Sequence, residues 1–271
     1  GGGGNFGVVT ELEFKLSPLA PIVYGGLMAF PPEQSTEVIR LWRDSSHGSD
    51  DIGWAVASIT APPEEFVPKE WHGKRVIGVA GMIAGAHEDA ERVLAPIRAL
   101  QPLVDLWQPM PYTVVQSLLD PSNPYGRQNY WRAHNLDDLG DDVIDVFLEA
   151  AASCPSPYTA IILVNAGGAI ARVGEDDTAV SGRTSPFAMH LNGMWETTEG
   201  TEENIEWVRG VSKALGPHIA TGISLNFQTE IGDERLRESF GSAKLERLRS
   251  IKDRYDPANL FRLNQNIRPS S

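Results

Sequence analysis

The reading turns on Arg254–Ile267, RYDPANLFRLNQNI. Asp256-Pro257 ends the helical pattern AKLERLRSIKDRY, because proline lacks a backbone donor and disfavours helix in the residue before it. Beyond that stop, Asn259, Asn264, Gln265 and Asn266 place four carboxamides within eight residues, beside Phe261 and Arg262. A carboxamide both donates and accepts hydrogen bonds, which suits the edge of a heterocycle. The same residues suit a tail fastened by its own turns. The residues alone leave both readings standing.

The opposite end reads GGGGNFGVVTELEFKL, residues 1–16. Gly2, Gly4 and Gly7 formally spell G-x-G-x-x-G. That motif binds a dinucleotide only between a strand and a helix, whose N-terminus holds the pyrophosphate. Here a strand pattern follows instead: Leu12, Phe14 and Leu16 alternate with Glu11, Glu13 and Lys15. The dinucleotide reading is rejected. A cloning scar would not run straight into strand sequence, so the expectation is a loop whose backbone approaches a ligand closely.

Between the ends, IVYGGLMAF, DIGWAVASITAPP, KRVIGVAGMIAG, TAIILVNAGGAIARV with a Gly-Gly break, PFAMHLNGMW and GISLNFQTE read as strands. PPEQSTEVIRLWRDSS with prolines at its start, AHEDAERVLAPIRAL, DDVIDVFLEAAASC, EENIEWVRGVSKAL and the last helix carry apolar residues at helical spacing, and PYTVVQSLLDP is a short helix. GRQNYWRAHNLDDL mixes polar and aromatic residues without a clear period. Strands come in pairs between helices. That predicts an α+β fold, a large mainly antiparallel sheet covered on one face by helices. Two β-β-α units in the first third hint at a repeat, without self-similarity in their residues.

The 271 residues carry 23 basic and 36 acidic side chains, a net charge of −13. That balance argues against nucleic acid or an anionic membrane surface as partner. The single cysteine, Cys154, has small and Pro-rich neighbours and no adjacent cation, so it reads as a packing residue. No apolar run is long enough for a membrane helix, and no signal peptide is visible. No metal site and no membrane partner are expected, and the expected location is cytoplasmic.

The tail resembles the C-terminal signature of FAD-linked oxidases of the berberine bridge enzyme type, Tyr-Asp-Pro-x-Asn-x-Phe-Arg-x-x-Gln-Ser/Asn-Ile. Tyr255, Asp256, Pro257, Asn259, Phe261, Arg262, Gln265, Asn266 and Ile267 match it. The opening is similar to that family's Gly-Gly-Gly-Asn-Phe-Gly-Val-Val-Thr segment, which closes its FAD-binding domain. GRQNYWRAHNLDDL, AMHLNGMW and NIEWVR also look like family sequence, so the resemblance covers the whole chain.

The resemblance implies an FAD-dependent oxidoreductase that oxidises an alcohol, sugar or amine carbon by hydride transfer to flavin. It also implies that this chain is the substrate domain, with most of the FAD-binding domain missing and the fragment alone inactive. Residues 1–17 would end the FAD-binding domain. Residues 18–235 would form the substrate-binding domain, and 236–271 a helix and tail returning to the FAD-binding domain. Any flavin-linking His or Cys would belong to the missing part. Gly3, Gly4, Asn5, Phe6 and Gly7 would lie near the flavin, with Asn264 and Asn266 bordering it.

Two departures stand out. Ser224-Leu225-Asn226-Phe227 has Ser224 where many relatives have a tyrosine that serves the chemistry. Phe240-Gly241-Ser242-Ala243-Lys244-Leu245 has Ala243 and Lys244 where relatives often have Asn and Tyr. They motivate the alternative, a catalytically inactive family member acting as a binding or structural protein. His190, Asn192 and Ser224 are the catalytic candidates, since His190 and Asn192 share a strand face and histidine titrates near neutral pH. Gln128, Tyr130, Trp131, His134 and Asn226 are the substrate-binding candidates. The family reading requires both chain ends to converge on one flavin edge; an unrelated α+β domain would leave them apart.

Overall fold

Alternating small and branched residues drive eight strands into one antiparallel sheet. The computed structural model describes residues 2–45, 49–220, 222, 225–230, 232–263 and 265–270. The strands are β1 (Ile22–Phe30), β2 (Ile52–Thr60), β3 (Arg75–Ile83), β4 (Val104–Asp105), β5 (Gln108–Pro111), β6 (Gln128–Leu136), β7 (Ala160–Asn165) and β8 (Phe187–Trp195). The helices are α1 (Ser35–Ser45), α2 (His87–Arg98), the short α3 (Tyr112–Ser117), α4 (Asp141–Ala152), α5 (Thr201–Ala214) and α6 (Asp233–Tyr255). The sheet order is β4-β1-β3-β2-β7-β8-β6, with β5 also on β1. The fold is the α+β antiparallel sheet expected from the paired strands.

A repeat runs through this order. β1-α1-β2-β3-α2 is followed by β6-α4-β7-β8-α5, each with its third strand between its first and second. The halves meet where β2 pairs antiparallel with β7.

Period-two alternation sorts the side chains. Tyr24, Met28, Phe30, Trp54, Val56, Ile77, Val79, Ile161, Leu163, Met189 and Leu191 face the helices. There they meet Val38, Ile39 and Trp42 of α1, Leu94 and Ile97 of α2, Val143 and Phe147 of α4, and Val208 of α5. Each such large side chain contributes about 1.5–3 kcal/mol on leaving water. The opposite face has no helical layer. In the first half it is covered by loops: Ala29, Val76 and Ile59 pack with Val67, Trp71 and Val104. α3 also lies there, because Gly25 leaves room where a Cβ would stand 2.7 Å from Val115 Cγ2.

Two strand expectations fail for a common reason: alternation is necessary for a strand but does not supply a partner. VVTELEFKL forms no strand, and Val8, Val9, Leu12, Phe14 and Leu16 are all exposed. In GISLNFQTE, the described residues 222 and 225–230 hold a 3-10 turn at Leu225–Phe227 and no strand. Conversely, 128–136 is a full strand whose pattern is hidden by Arg132 and His134 on its core side.

β6 ends the sheet, and its outer edge is covered rather than left as an open template. Ala220 N donates to Asn135 O at 2.8 Å and Thr229 N to Trp131 O at 3.0 Å. Trp131 N donates to Thr229 Oγ1 at 2.8 Å and Gln228 Nε2 to Ala133 O at 2.6 Å. A third apolar cluster gathers Leu236, Phe240, Leu245 and Leu248 of α6, Ile267 of the tail and Phe6 of the glycine loop. α6 is broken at Gly241. The two chain ends therefore meet.

Candidate functional site

The site forms on the helix-free face of the second half. Along β8, Phe187, Met189, Leu191, Gly193 and Trp195 point to the core, which leaves His190, Asn192 and Met194 on the other face. On β6 the same rule turns Asn129, Trp131, Ala133 and Asn135 outward. Cross-strand pairing sets Trp131 beside Asn192 and Ala133 beside His190. Over this floor lies the 225–229 segment. The Phe227 ring sits 4.4 Å from the His190 ring and 6.4 Å from the Trp131 ring, nearly parallel to the latter. A pocket of about 400 Å³ opens beside Trp131 and Phe227, lined also by Asn123, Asn129, Met194, Asn226, Gln228 and Thr229; His190 and Asn192 lie behind this lining and are not part of it.

The sequence-based substrate candidates divide. Trp131 and Asn226 line the pocket. Tyr130 and His134 do not: strand alternation turns them under the sheet against the helices, where both are buried. Gln128 shares their side of β6 by the same alternation. Asn129, Met194, Phe227 and Thr229 went unrecognised. Counting back two from Trp131, or forward one from Asn226, would have found Asn129 and Phe227.

Burial holds the His190 imidazole down to about 4, so it is neutral at pH 7. Asn192 Oδ1 and Trp131 Nε1 are buried without a hydrogen-bond partner. Ser224 lies outside the described residues.

Under the sheet, Tyr130 OH donates to Glu230, which also pairs with Arg132, with Arg209 at 2.8 Å and with Arg235 at 3.6 Å. Burial alone would raise the Glu230 carboxyl, but bonds from Tyr130 and Arg209 and the Arg132 charge outweigh it and hold it near 2. Glu230 thereby fixes the end of the segment that roofs the pocket. His134 bonds Ser212 Oγ, which Arg132 Nη1 also reaches at 3.3 Å. Burial and the Arg132 charge hold His134 down to about 4.

The ends of the chain are joined through Asn5. Its Nδ2 donates to Gly2 O at 2.8 Å and to Gln265 O at 3.0 Å, while its Oδ1 accepts from Ile267 N at 2.8 Å. Gln265 Nε2 reaches Gln228 O at 3.0 Å, so the tail is bonded to the pocket roof. The Oε1 of Gln265 and Oδ1 of Asn266 are buried without a partner. Gly2, Gly3 and Gly4 have φ of +116°, +56° and +75°. A Cβ on Gly2 would stand 3.0 Å from the Phe6 ring. Gly3, Gly4 and Gly7 are exposed. Asn264 lies outside the described residues. A glycine cradle beside unpartnered amide acceptors fits a heterocyclic cofactor that carries ring N–H groups. Among the described residues no group of His, Cys, Asp and Glu could hold a metal ion, and no helix is long and apolar enough to cross a membrane.

In sheet and joined ends the chain is similar to FAD-linked oxidoreductases. Residues 225–268 match the family model described as berberine and berberine like. An FAD-linked oxidoreductase of Dictyostelium discoideum is 27% identical over 99% of this chain and 57% of its own length. The uncharacterized FAD-linked oxidoreductase YvdP of Bacillus subtilis is 28% identical over 100% of this chain and 59% of its own length. The crystal structure of 6-hydroxy-D-nicotine oxidase from Arthrobacter nicotinovorans superposes with a TM-score of 0.77 at 20% identity, over 97% of this chain and 58% of that one. Along its whole length the chain is similar to the berberine-bridge-enzyme-like FAD-linked oxidases. It spans just over half the length of the curated relatives it matches.

Proposed function

We propose that this chain is the substrate-binding part of an FAD-dependent oxidase acting on an alcohol, sugar or amine carbon. One observation carries the reading: the tail with the unpartnered amide oxygens is bonded directly to the pocket roof, Gln265 to Gln228. A cofactor held at that border would lie next to the pocket. Residues 1–17 and 236–271 would serve the FAD-binding domain, and 18–235 the substrate. The exposed Val8, Val9, Leu12, Phe14 and Leu16 support this, since an unpartnered alternating segment suits a strand that pairs with that domain.

FAD, when bound, supplies the two-electron acceptor. Gly3, Gly4, Asn5, Phe6, Gly7 and Asn266 would hold it, with Asn264 by its place in the motif. Trp131 and Phe227 would stack on the substrate and exclude water. His190 is the candidate to accept the substrate's proton at a ring nitrogen because Ser224 is a poor base; burial, which holds its ring down to about 4, works against that role. Asn192 Oδ1 would orient a donor group of the substrate.

The test is visible absorption of the protein from its complete reading frame, before and after acid precipitation. A flavin band that stays with the precipitate means a covalent link; one that leaves means a bound flavin without it. No band, even with FAD added, would sink the oxidase reading. In the active protein, His190→Gln should cut kcat by about 10²–10⁴-fold. An absence of turnover in a flavin-loaded wild type would favour the second reading, a binding or structural protein, which Ser224 motivates.

A further inference from the structure

Lys252 sits inside α6 with no exposed surface. Its ammonium has three donors and no acceptor. All three are used, each on a different point of the chain: Asn5 O at 2.8 Å, Asp256 Oδ2 at 2.6 Å and Phe261 O at 2.7 Å. Asp256 continues the linkage, accepting from Leu260 N at 2.8 Å and Phe261 N at 2.9 Å. Burial raises the Asp256 carboxyl, but the bonds from Lys252 and from these two amides outweigh it and hold it below the usual range. Asn5 then brackets the tail, with its side chain bonded to residues 265 and 267 on either side of Asn266.

Burying an ion pair is a poor way to gain stability, because apolar residues of the same volume do as well. A methionine could fill this space. It could not bond three acceptors on a loop at residue 5 and a tail at residues 256 and 261.

We infer that Lys252 is a positioning residue that fixes the glycine loop, 2–7, and the described tail residues, 260–263 and 265–267, as one rigid unit. The consequence for cofactor binding rests on the reading that this border holds FAD. Gln265 and Asn266 are then aimed by a charge that touches neither.

The test compares Lys252→Met, and Lys252→Met combined with Asp256→Asn, against the wild-type full protein. The double variant leaves no unpaired buried carboxylate, so it separates positioning from folding. Amide hydrogen exchange is read on peptides covering 2–7 and 258–268, and FAD affinity by flavin fluorescence. In both variants exchange should rise at both ends together by about tenfold or more, with β1–β8 unchanged. The FAD dissociation constant should rise by about tenfold as well. Loosening of the tail alone would overturn the rigid unit. An FAD affinity within about twofold of wild type, with both ends loosened, would overturn the positioning role. If the wild type binds no FAD, the oxidase reading falls, and the exchange data still decide whether the ends move as one.

Discussion

The two halves of the sheet carry the same trio in different hands. Tyr24 is the third residue of β1 and Tyr130 the third of β6. Tyr24 OH bonds Glu91, which pairs with Arg98; both come from α2, the helix of its own half. Tyr130 OH also bonds a glutamate, and Arg209 of α5 reaches both. That glutamate, however, is Glu230, from beyond the repeat. The first half is closed, on the face away from α1 and α2, by the short α3 and the 61–74 loop. The second is roofed by a segment that Glu230 anchors. The difference teaches where function lies on this fold: the trio that is local packing in one half becomes, in the other, the fastening of the pocket roof.

The largest expected effect comes from buried histidines, which only the second half carries in its sheet. His134 is the seventh residue of β6, where β1 has Met28. An ordinary histidine titrates near 6.5, whereas His134 and His190 are held down to about 4. Below pH 6.5 the unfolded chain takes up protons that the folded chain refuses until about pH 4. Stability is therefore full above 6.5 and is lost as pH falls towards 4. At pH 5 the loss is about 2 kcal/mol for each histidine. Urea unfolding at pH 7 and pH 5 measures it. His134→Met, which copies the first half, should remove about half of the difference. An unchanged difference would mean that His134 is protonated in the folded protein.

Next in size is the anchor itself. Glu230→Ala strands Arg132, whose side chain is 11% exposed, and frees Arg209 and Arg235. The expected loss is roughly 2–3 kcal/mol, less than for a fully buried pair because Glu230 retains some exposure. Glu91→Ala, at a carboxylate 53% exposed, should cost under about 1 kcal/mol. Thermal midpoints rank the two. Equal losses would erase the distinction between a local trio and an imported one. Glu230→Ala should also weaken binding of any small molecule that the pocket takes, as the roof over Trp131 loosens.

The fold was legible where one face of a strand is uniformly apolar. IVYGGLMAF and PFAMHLNGMW are such strands. The β6 stretch was not, because Arg132 and His134 occupy core-side positions and bond Ser212 and Glu230, residues about 80 to 100 positions away. No local pattern reveals a partner so distant. For the same reason Tyr130 and His134 read as pocket residues beside Trp131, although a strand must turn them to the opposite face. The shared face of His190 and Asn192 was legible, since both lie on a clear strand. The meeting of the chain ends was implied by two motifs, but the bond from Gln265 to the pocket roof was not. Both of its partners lie in irregular backbone, where sequence fixes neither direction nor register.

The smallest effects provide the finest test. Tyr24→Phe and Tyr130→Phe each delete one hydroxyl, worth about 0.5–1.5 kcal/mol. Taken singly they are hard to tell apart, since both hydroxyls also accept from an arginine, Tyr24 from Arg98 at 3.3 Å and Tyr130 from Arg209 at 3.2 Å. Coupling separates them. In a cycle of Tyr130→Phe with Glu230→Ala the interaction energy should be about 1 kcal/mol, because Glu230 is held in one place by three arginines. In the cycle of Tyr24→Phe with Glu91→Ala it should be near zero, because an exposed glutamate finds water as an alternative partner. Equal coupling in both cycles would show that the repeat uses its tyrosines alike. The specialisation of the second half would then rest on the histidines and the roof alone.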